Sequence, residues 1–216
     1  MITSVSTARV FAILFIAITP LLVRAGGLES LENFLRLTKS GRAEFTQLVT
    51  APPKDGVLGR AKASGGSFEF ARPNRFRFIY RKPFEQTIVA DGQTLWLYDV
   101  DLNQVTARKQ AQALGATPAA LIASAGDLRA LQNDFVLADA PDRDGLQWVL
   151  ATPKARDGQL QSVRVGFRGA ELAVLEMLDS FGQRSVLTFT SLQSNVALET
   201  ASFQFKPPAG VDIIRQ

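Results

Sequence analysis

The chain has 216 residues, 46% of them apolar, with a formal net charge of +4 and neither histidine nor cysteine. This composition is typical of a globular protein with one domain. The missing residue types exclude thiolate zinc sites, cysteine nucleophiles, Ser-His-Asp triads and imidazole general bases. A net charge this small is not the pattern of a dedicated nucleic-acid binder.

Residues 1–25 have the form of a secretory signal peptide that is cleaved from the mature protein. Arg9 supplies a positive charge, and the apolar run VFAILFIAITPLLV follows at 10–23. Small residues stand at the −3 and −1 positions of a cleavage site after Ala25. A membrane anchor is the alternative, but a span needs about 20 apolar residues. We therefore expect one mature domain over residues 26–216.

The mature chain opens with a predicted helix and continues with strands. Apolar residues recur at helical spacing from Leu28 to Thr38. From residue 45 to residue 108 the apolar period becomes two, and turn-forming pairs separate the runs. The pattern predicts a meander of short antiparallel strands. The turn pairs are Pro52-Pro53, Asp55-Gly56, Gly65-Gly66, Lys82-Pro83 and Asp91-Gly92.

The segment ARPNRFRFIY at 71–80 mixes basic and aromatic residues. In a strand, alternation puts the aromatic and the basic side chains on opposite faces. Residues on opposite faces cannot clamp one nucleic-acid strand, so we predict a half-buried strand with a solvated basic face. The two faces are Phe76, Phe78 and Tyr80, and Arg75, Arg77 and Arg81.

Arg72 stands apart from this alternation. It precedes Pro73, which favours an extended conformation at the edge of the strand. Its guanidinium is then available for backbone carbonyls or for a carboxylate. A plain surface charge is the alternative interpretation of this residue.

Carboxylates cluster at two places, and neither pattern predicts a catalytic or metal site. Asp91 with Gly92 is typical of a hairpin turn, and Asp99 and Asp101 flank a second turn. The DAPDRD run at 139–144 lacks the ligand spacing of a calcium loop. We interpret that run as a polar loop.

The middle of the chain interrupts the strands with helices. Thr117-Pro118 is a helix start, and residues 119–124 form a short apolar helix that is either buried core or a movable lid. Asp127 is placed to cap a second helix that presents Leu128, Leu131 and Phe135 on one face. Strands resume at residue 146 and predict an all-antiparallel curved sheet or barrel around an apolar interior. Their sequences are LQWVLAT, LQSVRVGF, ELAVLEML and SVLTFTSL.

Six segments in this order resemble the LolA family of outer-membrane lipoprotein carriers. The resemblance implies a mainly β fold with inserted helices, an incomplete, unclosed antiparallel β-barrel closed by an α-helical lid. The segments are FTQ at 45–47, RPNRFRFIY at 72–80, ADGQTLWLYDVDLNQVT at 90–106, TPAALIA at 117–123, ATPK at 151–154 and FQFKPPAGVDII at 203–214.

The function implied by this resemblance is transport rather than catalysis. Such a protein is a periplasmic monomer that shelters the acyl chains of lipid-modified lipoproteins in an apolar cavity. It receives them from an inner-membrane ABC-type, ATP-driven release complex and delivers them to an outer-membrane receptor lipoprotein of the LolB type. It uses no cofactor or metal and binds no nucleic acid. The alternative is an envelope-stress sensor of related fold that binds lipidated or misfolded envelope proteins, and a hydrolase is the remote third.

The resemblance also implies site residues. Arg72 matches the arginine of the family's RPxxF motif and is expected to hold the lid closed through backbone atoms of Leu35, Ile122 and Ala123. Phe76 matches the phenylalanine of that motif, near the cargo-transfer surface. Glu69 and Ala71 depart from the family's usual Trp and basic residue. The expected cargo-contacting side chains are Phe76, Phe78, Leu95, Leu97, Leu121 and Ile122.

Overall fold

The computed structural model describes residues 26–54, 59–113, 123, 125–155 and 158–216. Within these ranges twelve strands form a single sheet. The strands are β1 Ser40–Thr50, β2 Ala61–Ala71, β3 Arg75–Lys82, β4 Gln86–Asp91, β5 Thr94–Asp99, β6 Gln104–Lys109, β7 Phe135–Arg143, β8 Leu146–Pro153, β9 Leu160–Arg168, β10 Glu171–Asp179, β11 Arg184–Ser194 and β12 Asp212–Arg215. The helices are α1 Gly27–Leu37, α2 Gln110–Ala113, α3 Leu128–Asp134 and a 3-10 helix Thr200–Phe203.

The sheet is unclosed, with β12 at one edge and β7 at the other. Its strand order is β12-β6-β5-β4-β3-β2-β1-β11-β10-β9-β8-β7, which confirms the mainly β, incomplete-barrel prediction. The expectation of an all-antiparallel sheet is wrong for β12, which pairs parallel to β6 with Asp212 opposite Gln104. A parallel neighbour needs a crossover connection. The long segment that contains the 3-10 helix supplies it.

Helix α1 packs against the sheet and joins its two halves. Its apolar stripe is buried as the spacing predicts. The ring centroid of Phe34 lies 6.1 Å from that of Phe70 on β2 and 5.8 Å from that of Phe167 on β9. A Cβ on Gly27 would lie 2.1 Å from the carbonyl oxygen of Trp148 on β8. The first turn of α1 therefore needs glycine to approach the β8 backbone.

Aromatic side chains fill the interior between α1 and the sheet. Phe68, Phe70 and Phe76 are completely buried, and Phe68 stacks on Phe78 with centroids 4.3 Å apart. The predicted aromatic face of β3 is confirmed, because Phe76, Phe78 and Tyr80 all belong to this core or pack against it. The described interior is thus packed with side chains, a point that the period-two pattern left open.

The opposite face of β3 is solvated at Arg81, as predicted, but Arg75 and Arg77 are half-buried. The guanidinium carbon of Arg75 lies 5.8 Å from the ring centroid of Phe203. Arg77 Nη1 donates to the carbonyl oxygen of Ser202 at 3.5 Å. The predicted solvated basic face is therefore wrong at both positions, because the 3-10 helix folds back over them.

The predicted polar loop at 139–144 is also wrong, because most of it belongs to β7 at the sheet edge. Strand β8 supplies the backbone partners, and the register slips between Ala140 and Arg143. Pro141 lies in this slip, at an edge position where a missing N–H is tolerated. The predicted cap of the preceding helix is confirmed, since Asp127 Oδ1 accepts from Ala130 N at 2.9 Å.

Several predictions fall outside the described residues. They are the leader 1–25, the Asp55-Gly56 turn, and Leu121 and Ile122 of the predicted apolar helix. Ala123 is described and is helical. No helix in the described ranges has both the length and the apolar character required to cross a membrane.

Candidate functional site

Arg72 lies in the turn between β2 and β3, beside the C-terminal end of α1. Its Nη1 donates a hydrogen bond to the carbonyl oxygen of Thr38, the C-cap of α1. Its backbone N–H donates to the carbonyl oxygen of Lys39 at 2.8 Å. The side chain and the backbone of one residue therefore join the turn to the end of the helix.

The guanidinium of Arg72 lies against two aromatic rings. Its central carbon is 4.8 Å from the ring centroid of Phe34 and 5.0 Å from that of Phe70. Cation–π attraction at such distances partly compensates for lost hydration. Burial lowers the pKa of Arg72 to about 10, so the side chain stays charged at neutral pH. A buried cation thus sits where the helix, the turn and the aromatic core meet.

The hydrogen bond of Arg72 differs from the expected set of partners. The carbonyl of Leu35 accepts instead from Lys39 Nζ at 3.2 Å, and that of Ala123 accepts from Asn74 N at 2.9 Å. The carbonyl of Thr38 follows the last turn of α1 and has no intrahelical partner, so it can accept from Arg72. Among described residues, Nε and Nη2 of Arg72 have no hydrogen-bond partner. Ile122 lies outside the described residues.

The expected cargo-contacting residues divide into three groups. Phe76, Phe78 and Leu95 are buried together in the core. Leu97 is half-buried and pairs with Ile88 across the β4–β5 ladder. Leu121 and Ile122 lie outside the described residues. The structure therefore places the strand residues on the inner face, where the ring packing leaves them little exposure.

Two pockets lie towards the other end of β1, away from Arg72, and Gln47 lines both. One has a volume of about 560 Å³ and the other about 260 Å³. Burial raises the pKa of Tyr80, in the first pocket, to about 12. The larger pocket is lined by Gln47, Ser64, Tyr80, Pro83, Phe84, Gln86, Asp99, Asp101 and Leu102. The smaller is lined by Gln47, Val49, Gln159, Leu160, Met177, Asp179, Gln183 and Ser185.

Sequence reasoning missed most of these pocket residues. Tyr80 shares the parity of Phe76 and Phe78, so alternation along β3 was a usable signal. Leu160 and Met177 come from other strands, and no local spacing connects them to Gln47. Their association depends on the curvature that brings β9 and β10 near β1.

The carboxylates singled out in the sequence have structural partners. Both oxygens of Asp91 accept hydrogen bonds, including one from Trp96 Nε1 at 3.0 Å. The predicted hairpin turn is confirmed, with Gly92 at φ +104°. Glu69 pairs with Arg42 at 2.6 Å, and it lies opposite Arg77 on β3, away from the aromatic interior. The described part of the chain has no group of three or more carboxylates placed to hold a metal ion.

Known sequences similar to this chain are described as outer-membrane lipoprotein carrier proteins. The family model "Outer membrane lipoprotein carrier protein LolA" matches residues 36–206. An outer-membrane lipoprotein carrier protein of Albidiferax ferrireducens is 68% identical over 96% of this chain and 100% of its own length. A protein of the same description from Leptothrix cholodnii is 54% identical over 89% of this chain and 87% of its own length.

A solved structure shares the fold at low sequence identity. It is an uncharacterized conserved protein from Thermus thermophilus, with a TM-score of 0.50 and 12% identity. The match covers 88% of this chain and 96% of the other. The family match, the two close relatives and the Arg72-centred arrangement on an unclosed sheet lead to one conclusion: the chain belongs to the LolA family of outer-membrane lipoprotein carrier proteins.

Proposed function

We propose that residues 26–216, after removal of the leader 1–25, act as a periplasmic carrier of lipid-modified outer-membrane lipoproteins. The carrier takes cargo from an inner-membrane ATP-driven release complex and delivers it to an outer-membrane receptor lipoprotein. Its activity is binding and transfer, not catalysis. The observation that carries the proposal is the position of Arg72, which joins the end of α1 to the turn that borders the aromatic interior.

A carrier must compete with a membrane for acyl chains. Each CH₂ group that leaves the bilayer costs about 0.8 kcal/mol, so the carrier must offer comparable apolar burial. The inner face of the sheet supplies rings and aliphatic side chains over several neighbouring strands. In the described form α1 packs on the β7 to β10 part of this face, and its Phe34 also contacts Phe70 on β2. Displacement of α1 exposes that face to cargo.

The proposed cargo-contacting residues follow from this geometry. On the strands they lie on the inner, apolar face of the sheet, as the alternation of β3 and β5 requires. The two residues from the segment before α3 are assigned by family resemblance. The set is Phe76, Phe78, Leu95, Leu97, Leu121 and Ile122.

Arg72 allows α1 to pack on the inner face and to leave it again. Its hydrogen bond and its two ring contacts favour the covered form. Its desolvation, and the two nitrogens without described partners, oppose that form. Because these contributions oppose one another, cargo that competes for the same surface can break the contact. Backbone atoms of Leu35, Ile122 and Ala123 complete the proposed gate around Arg72.

Extraction of a lipoprotein from membrane vesicles tests the proposal. Purified residues 26–216 are mixed with vesicles that contain the release complex and a lipid-modified protein, and ATP is added. We expect ATP-dependent transfer of the cargo into a soluble complex with this protein. The matched control is the same cargo without its acyl chains, which should not be transferred to the carrier. Cargo that stays in the vesicles under these conditions contradicts the carrier function.

A further inference from the structure

Gln110 is a fully buried polar residue at the start of α2. Its exposed fraction is 1%. Its side-chain Nε2 donates to the carbonyl oxygen of Asn74 at 2.6 Å, and its Oε1 accepts from Gly92 N at 2.9 Å. Its backbone N–H donates to the carbonyl oxygen of Gln93 at 2.8 Å. One residue therefore ties the β2–β3 turn to the β4–β5 turn.

The carbonyl oxygen of Asn74 accepts the hydrogen bond from the Gln110 side chain. Asn74 follows Arg72 by two residues and has φ +64°, a backbone conformation that non-glycine residues rarely adopt. Its N–H donates to the carbonyl oxygen of Ala123 at 2.9 Å, while its carbonyl accepts from Gln110. Both backbone polar groups of Asn74 are thus used. Asparagine adopts this left-handed conformation more readily than other non-glycine residues, and the two hydrogen bonds fix it further.

The turn at 72–74 is consequently fastened at both ends. At its start, the Arg72 N–H is bonded to the carbonyl of Lys39, just beyond α1. At its end, the carbonyl of Asn74 is bonded to the amide of Gln110. Side-chain reach alone does not fix where a flexible arginine lies, because long side chains have many rotamers. A turn held at both ends restricts the guanidinium of Arg72 to the region of Thr38, Phe34 and Phe70.

We infer that Gln110 is a positioning residue for Arg72 and acts through the carbonyl of Asn74. The inference rests on the proposed gating role of Arg72. Loss of the Gln110 amide leaves the Asn74 carbonyl and the Gly92 N–H without their described partners. The Asn74 carbonyl is part-buried, and an unpaired carbonyl there is unfavourable, so the turn relaxes until this group finds a new partner. Arg72 then loses its fixed approach to the end of α1.

A double-mutant cycle tests this role. Gln110→Met keeps the length of the side chain but removes both amide bonds, and Arg72→Leu removes the contact that Gln110 is inferred to position. The readout is fluorescence of the apolar dye ANS, which reports exposed apolar surface. We expect Gln110→Met to raise ANS binding about threefold to tenfold, the scale of one lost net hydrogen bond. In the Arg72→Leu background the same substitution should add nothing.

Two outcomes of the cycle overturn the inference. An equal fold-increase in both backgrounds means that Gln110 acts independently of Arg72, as a purely structural residue does. Unchanged ANS binding in Gln110→Met means that the amide does not influence the covered form. The matched control is Gln147→Met, which removes a similar bond from a turn glycine, Gly169 N to Gln147 Oε1 at 3.1 Å. This control should leave ANS binding unchanged.

A measurement on the unaltered protein keeps the inference testable if Gln110→Met does not fold. In hydrogen exchange followed by NMR, the Asn74 N–H and the hydrogen-bonded side-chain amide proton of Gln110 should exchange at one common rate after each rate is corrected for its intrinsic exchange rate. Exchange of the Asn74 N–H more than about tenfold faster would show that the turn opens without Gln110. Failure of vesicle extraction contradicts the carrier function and leaves these results standing. Additivity in the cycle contradicts only the positioning role.

Discussion

The guanidinium of Arg72 donates to the carbonyl oxygen of Thr38, the residue at which α1 ends. The last carbonyls of a helix lack intrahelical partners and carry the negative end of its dipole. A buried cation is therefore stabilised at this place more than elsewhere in an apolar interior. The contact joins the helix that covers the aromatic face to the turn beside it.

Replacement of Arg72 should weaken the attachment of α1 to the 72–74 turn and leave the free energy of unfolding almost unchanged. Arg72→Leu should raise ANS binding, because α1 loses its attachment to the turn. The free energy of unfolding should change by no more than about 1 kcal/mol, since removal of a buried charge also removes its desolvation cost. Urea unfolding and ANS titration measure the two effects. Arg72→Lys is the matched control: it keeps the charge without the planar fork and should give intermediate ANS binding. Equal ANS binding in all three proteins contradicts the gating role.

Phe34 should contribute strongly to the attachment of α1. It is 2% exposed and contacts Phe70, Phe167 and the Arg72 guanidinium. Phe34→Ala should lower the free energy of unfolding by about 3–5 kcal/mol, the usual cost of removing a buried ring. Chemical denaturation measures the change. Phe181→Ala, at a side chain that is 72% exposed, should change stability by less than about 0.5 kcal/mol. If Phe34→Ala lowers the free energy of unfolding as little as Phe181→Ala does, α1 packing is unimportant for stability.

Gly27 should tolerate no side chain, because the β8 backbone lies where a Cβ would stand. Gly27→Ala should lower the free energy of unfolding by about 1–3 kcal/mol, as the first turn of α1 moves away from Trp148. Gly126→Ala is the control, since no atom of the described residues lies within 4 Å of a Cβ at that position. It should be neutral or should stabilise by up to about 1 kcal/mol through the unfolded chain. Thermal unfolding of both variants checks the contrast, which fails if Gly27→Ala is as stable as Gly126→Ala.

Tyr80 should make stability fall at alkaline pH. Burial raises the pKa of Tyr80 from 10.0 to about 12. Below pH 10 the phenol is protonated in both states, and the full stability is present. Between pH 10 and pH 12 the unfolded chain loses this proton while the folded chain keeps it. The contribution of Tyr80 to stability should therefore fall by about 1.4 kcal/mol per pH unit in this window.

The comparison with Tyr80→Phe isolates this contribution. The pKa of Arg72, lowered by burial to about 10, produces the opposite trend above pH 10, but it does so equally in both proteins. The stability of Tyr80→Phe relative to the unaltered protein should therefore rise by about 2 kcal/mol between pH 8 and pH 11.5. Urea unfolding at the two pH values measures it. An unchanged difference would show that the phenol ionises equally in the folded and unfolded chains.

Local periodicity predicted the elements that bury one regular face. The helix from Leu28 to Thr38 and the aromatic face of β3 both follow from spacing, because the backbone repeat alone decides which side chains point together. The cap at Asp127 and the turn at Asp91-Gly92 follow from the chemistry of single residues. The family resemblance indicates Arg72 as a site residue from the sequence.

Non-local contacts decided what periodicity left open or misassigned. The DAPDRD run at 139–144 predicts a loop because its polar sequence gives no alternation, and only pairing with β8 makes most of it part of β7. The basic face of β3 was expected in solvent because nothing in its spacing shows that the 3-10 helix folds over it. The choice of Thr38 for Arg72, and the bond from Gln110 to Asn74, join segments more than 30 residues apart.

The sequence by itself determined which residues can be buried, where the chain turns, and to which family it belongs. The tertiary structure decided that the interior is filled by aromatic rings, that one strand runs parallel to its neighbour, and that Arg72 meets the end of α1. The physical reason is one of range. Backbone geometry acts over a few residues, whereas a buried polar group takes whichever partner the complete fold brings within hydrogen-bonding distance.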